Sequence, residues 1–154
     1  MHVAQLNIAR PLYPLHDSRM GGFTKALDAI NALAERADGF VWRLKGDGND
    51  ATDLTFPGDP TAIANMSVWR TIDDLQQFVW TTVHRRFFDR KVEWFAHGEE
   101  RDFVMWWVEP AHTPTLQEAA EKLRLLRQEG STDDAFGWEY YVPKRYLGRI
   151  ADGA

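Results

Sequence analysis

The stretch from Phe78 to Phe95, FVWTTVHRRFFDRKVEWF, sets a single histidine, His84, among six aromatic residues, with Arg85, Arg86, Arg90 and Lys91 close by. Imidazole ordinarily titrates near neutrality, and an apolar setting favours its neutral, proton-accepting form. On a helix, Trp80, His84 and Phe88 are spaced by four and share one side. Val79, Val83 and Phe87 then form a neighbouring stripe suited to face a sheet. Three roles are open to His84: a general base toward an acidic phenol or carbon acid, a structural imidazole bonded to a backbone carbonyl, or an axial ligand of haem. The structural role asks least of the sequence. The nearby Arg85, Arg86, Arg90 and Lys91 read as a solvated helix face, or as a clamp for a substrate carboxylate.

A second constellation comes from alternation. In HVAQLNIA, His2 to Ala9, the residues Val3, Gln5 and Asn7 share one face of a strand, with Ala4, Leu6 and Ile8 on the other. In AIANMSVWR, Ala62 to Arg70, Asn65, Ser67 and Trp69 share a face in the same way. Gln5, Asn7, Asn65 and Ser67, adjoining Trp42 and Trp69, form the neutral polar stripe with aromatic walls that orients a polar aromatic molecule in a largely apolar pocket. The same stripe would also serve as a wet interface between chains. Other chemistries find no pattern. The remaining histidines show no metal-binding spacing, and Asp47 to Asp53 lacks the acidic, glycine and closing glutamate positions of a calcium loop. Gly21 and Gly22 do not make a dinucleotide turn.

Positioning these residues requires strands over His2–Ala9, Phe40–Leu44, Ala62–Arg70 and Asp102–Pro110. A helix over Ser18–Arg36 is signalled by Phe23, Leu27, Ile30 and Ala34 at helical spacing, with Asp17 or Ser18 as cap and Gly39 as stop. Thr71 and Asp74 open a second helix that runs to about Phe95, with a kink near Thr81 and Thr82. Thr115 and Glu118 open a third that ends at Gly130, and Phe136–Pro143 reads as a last strand. Lys45 to Pro60 is a long surface loop. This order predicts an α+β, ferredoxin-like antiparallel sheet with its helices on one face. The uncovered face, carrying the polar stripe, would then be buried in a homodimeric barrel around a central cavity.

The chain has 154 residues, which fits one domain over 1–146, followed by a weakly anchored tail over 147–154. Its 18 basic and 23 acidic residues give a net charge of −5, which argues against a nucleic-acid partner. No window approaches a bilayer span and the opening MHVAQLNIAR shows no export pattern, so a cytoplasmic protein without a membrane partner is expected. The absence of cysteine excludes disulfides, thiolate metal sites and cysteine nucleophiles. Seven Trp, nine Phe and four Tyr suit either a core or the walls of an apolar pocket.

The segments AQLNIAR and INALAERADGFVWRL, with Trp69, Leu75, Phe78, His84, Arg90, Trp94 and Phe95, resemble an uncharacterised bacterial family related to the antibiotic-biosynthesis monooxygenases, over roughly Val3 to Tyr141. That resemblance implies the dimeric α+β barrel superfamily, whose members include cofactor-independent oxygenases of polyketide-like phenols, haem enzymes, cyclases and isomerases. The expectation is therefore a cofactor-independent, monooxygenase-like enzyme acting on an aromatic or polyketide-like compound. His84 would accept the proton, Asn7 and Asn65 would polarise a carbonyl, and Gln5, Ser67, Trp42, Trp69, Trp80, Phe88 and Trp106 would hold the substrate. Parity does not decide between Trp106 and Trp107. The alternatives are a binding or stress-associated homodimer without turnover, and a haem-binding protein.

Overall fold

The structure, a computed structural model, describes residues 1–83, 87 and 90–141. His84 and Phe88, and with them Arg85, Arg86 and the tail 147–154, lie outside the described residues.

Strand β1 (His2–Ala9) occupies an inner position and pairs antiparallel with β3 (Ile63–Trp69) on one side and β4 (Phe103–Val108) on the other. Strand β2 (Phe40–Arg43) adds to β3, so the order is β2-β3-β1-β4. The expected alternation holds in the three longer strands. The register Val3↔Trp69, Gln5↔Ser67, Asn7↔Asn65 collects the stripe on one face, joined there by Phe103, Met105 and Trp107 of β4. Ala4, Leu6, Ile8, Ala64, Met66, Val68, Val104, Trp106 and Val108 make up the other face, and all are buried.

Helices cover both faces. Helix α1 (Gly21–Arg36) follows a 3-10 turn (Ser18–Met20) whose first amides are capped by Asp17, with the Arg19 N–H donating to its carboxylate at 2.9 Å. It sends Ile30 and Ala34 onto the stripe face, where Leu75 and Phe78 of α2 (Ile72–Phe78) meet Val3, Trp69 and Met105. The Thr71 hydroxyl caps α2 by accepting from the Asp74 N–H at 3.0 Å. A π-helical turn (Val79–Val83) continues α2 where the kink is expected, and a short helix, α3 (Lys91–Trp94), precedes β4. Helix α4 (Leu116–Glu129), capped by Thr115, seats Ala119, Leu123 and Leu126 on the opposite, wholly apolar face. Each such leucine contributes roughly 1.5–3 kcal/mol of burial.

Two expectations are thereby corrected. The sheet is open, with β2 and β4 as its edges, and does not close into a barrel. The helices do not share one face either: α4 lies on one side and α1 with α2 on the other. Of the polar stripe, Gln5 and Ser67 are buried on the side that α1 and α2 cover, Asn7 and Asn65 stay exposed, and with the sheet open the dimeric barrel is set aside. The expected last strand reduces to one bridge, Met105↔Phe136, followed by a 3-10 turn (Trp138–Tyr140). That turn stacks Trp138 on Phe103 and Tyr140 on Phe136, an aromatic packing that a straight strand would not allow.

Candidate functional site

A cavity of about 400 Å³ separates the stripe face from α1 and α2. Its walls are apolar: Phe23, Leu27, Ile30 and Ala34 recur along α1 at spacings of three and four, and Leu75 and Phe78 come from α2. Trp69 forms part of the floor, stacked on Phe78 with ring centroids 5.0 Å apart and edge-on to Phe40 at 5.6 Å.

The rest of the floor is a connected amide and hydroxyl network. Gln5 Nε2 donates to Asn65 Oδ1 at 3.0 Å and to Ser67 Oγ at 2.8 Å, while the Trp69 indole N–H donates to the same Ser67 oxygen at 2.9 Å. Gln5 and Ser67 are buried, whereas Asn65 and its cross-strand partner Asn7 are exposed. A second buried amide, Asn31, lies on the core side of α1 and lines the same cavity. Sequence reasoning passed over it, although Phe23, Leu27 and Asn31 are spaced by four and a lone polar residue on an apolar stripe is a signal.

The end of the cavity near β2 is charged. The register of β2 slips between Phe40 and Trp42, a bulge that sets Phe40 opposite Trp69 and Arg43 opposite Ser67. Simple alternation would have left Phe40 and Arg43 on different faces. Arg43, only 6% exposed, donates through Nε to Glu35 at 2.7 Å and through Nη2 to Asn49 at 3.0 Å. The guanidinium holds the Glu35 carboxyl below its usual range. Asp50 and Thr52, from the long loop between β2 and β3, close this end, with Asp50 accepting from the Thr52 hydroxyl at 2.6 Å. Elsewhere along the cavity stand Phe95 and Asp102, the latter bonded to Arg127 at 3.1 Å.

The structure therefore brings together Gln5, Asn7, Asn65, Ser67 and Trp69, and separates other residues expected beside them. The bulge turns Trp42 onto the α4 face. Trp106 is on that face too, its indole donating to Glu118 at 2.8 Å. Trp107 packs on Phe136 at 5.6 Å and does not line the cavity either, so neither member of that pair is a wall. Trp80 stands edge-on to Trp138 at 4.7 Å, away from the lining. His84 and Phe88 are outside the described residues.

A family described as Domain of unknown function (DUF3291) matches residues 2–148. No curated protein matches. Among solved structures, a putative antibiotic biosynthesis monooxygenase from Nitrosomonas europaea is similar at 18% identity and a TM-score of 0.47, covering 70% of this chain and 98% of that one.

Proposed function

The chain belongs to the DUF3291 family, and from that premise we propose that it binds a small aromatic or polyketide-like molecule in the cavity between its sheet and helices α1 and α2. The observation that carries this reading is the floor: a hydrogen-bonded Gln5, Asn65 and Ser67 network set into otherwise apolar walls. That combination buries a ring and fixes the direction of its polar end. Among the described lining residues the carboxylates are Asp50 and Asp102, which bond Thr52 and Arg10 with Arg127 respectively. Binding is the function that the floor supports by itself, and monooxygenase-like turnover would need a proton acceptor within reach of the ligand as well.

Native mass spectrometry of the protein purified from its own host tests the reading. A small-molecule adduct is expected on the wild type and absent from Leu27→Trp, which fills the cavity from α1. An adduct that persists at equal occupancy in Leu27→Trp would place the ligand elsewhere and refute the reading.

A further inference from the structure

Resting on that binding reading, we propose that the ligand is an uncharged aromatic compound with a carbonyl-type acceptor oxygen, received by the Ser67 hydroxyl and the Asn31 amide. The direction follows from hydrogen counting. Ser67 Oγ accepts from Gln5 Nε2 and from the Trp69 indole, so both of its lone pairs are used and its own O–H is what it has left to offer. Both Gln5 amide hydrogens are spent on Asn65 and Ser67. At Ser67 the floor therefore presents a donor, and the atom that meets Ser67 must accept.

Asn31 is an independent observation. It is 3% exposed and lines the cavity, and its side chain takes part in none of the side-chain hydrogen bonds found among the described residues. Its amide is not sealed in the core as the unpartnered Trp94 indole is, so it opens onto the cavity, at a position where Leu or Ala would continue the stripe. A ligand oxygen would give its N–H groups an acceptor. Neutrality follows from the charged groups on the cavity, where Arg43 is held by Glu35 and Asn49, Asp50 by Thr52, Asp102 by Arg10 and Arg127, and Lys91 is not free either. An anion seated between Asn31 and Ser67 would lose its hydration against neutral dipoles.

Equilibrium dialysis with three probes of one shape tests this: 2-acetylnaphthalene, 2-ethylnaphthalene and 2-naphthoate. The ketone is expected to bind about tenfold more weakly to Ser67→Ala and to Asn31→Leu than to the wild type, the size of one lost hydrogen bond. The hydrocarbon should stay within about twofold on the same principle. Equal weakening of ketone and hydrocarbon, no weakening of either, or tighter binding of 2-naphthoate than of the ketone by the wild type would overturn the proposal while leaving the binding reading in place. If none of the three probes binds the wild type, both fail together. Should Ser67→Ala fail to fold, the Asn31→Leu comparison decides alone.

Discussion

Ser67 is the residue on which the floor turns, because one oxygen serves two buried donors. Ser67→Ala leaves the Trp69 indole N–H without its acceptor and removes one of two bonds from Gln5. An orphaned buried donor costs roughly 1–3 kcal/mol. The urea midpoint of Ser67→Ala should fall accordingly with an unchanged slope, whereas Asn7→Ala, at an exposed position without such donors, should leave it unmoved. Much at this scale was legible in the sequence. The polar stripe was read from alternation alone, and the register Gln5↔Ser67 and Asn7↔Asn65 reproduces it. Asn31 was hidden among the apolar members of α1, Phe23, Leu27, Ile30 and Ala34, whose spacing alone defines the helix. Arg43 was hidden for a different reason: which face it takes depends on a bulge, and one extra residue reverses every inference from parity.

Among the elements, the junction from α1 to β2 is the most exacting. Gly39 has φ 84°, and a Cβ there would strike the Asp74 carboxylate at the start of α2. The absence of a side chain lets the turn between α1 and β2 pass close against the start of α2. Gly39→Ala should destabilise the fold by more than about 1 kcal/mol, through backbone strain and collision together. Adding Asp74→Gly removes every colliding side-chain atom of Asp74, its Cβ included, and leaves the strain, so the double variant should recover part of the loss, relative to Asp74→Gly alone, in thermal unfolding. No recovery would place the whole effect in the backbone. Helix starts were legible for the same local reason: Thr71 and Thr115 each bond an amide three residues on, and both helices begin where the pattern predicts. The last strand was misread because Phe136, Trp138 and Tyr140 alternate as strand residues do, while their rings find partners through a turn.

At the scale of the molecule, parity tells which residues share a face but not which face a helix will cover. The polar stripe looked like the uncovered side because polar groups under helices normally lack partners. Here Gln5, Asn65 and Ser67 bond to one another beside a cavity, and the apolar face is the one α4 takes. Both layers are held at one end of β1 by a chain of ion pairs. Arg10 bonds Asp59 of the long loop at 2.7 Å and reaches Asp102 before β4, which in turn meets Arg127 of α4. The Thr61 hydroxyl, and then Arg10, hold the Asp59 carboxyl below its usual range against the opposing effect of burial. At Glu139 burial acts upward, and the Ser131 hydroxyl with Arg101 outweighs it, so that carboxyl too is lowered.

A carboxyl lowered in the folded state binds fewer protons there than in the unfolded chain. Its stabilisation is complete above the unfolded value and is lost as the pH falls through the folded one. Stability should therefore hold down to about pH 4.5, near ordinary carboxyl values, and decline below it. Asp59→Asn and Glu139→Gln should each be less stable at pH 7 and show a shallower acid decline, measured by urea midpoints across that interval. Because Asp59 ties the loop that also carries Asp50 and Thr52, acid should weaken ligand retention together with stability in the wild type. In Asp59→Asn the two should no longer fall together with pH. A variant that keeps the full acid slope would show that these carboxyls do not govern the loss, and that the clasp between the sheet and α4 draws its strength from packing alone.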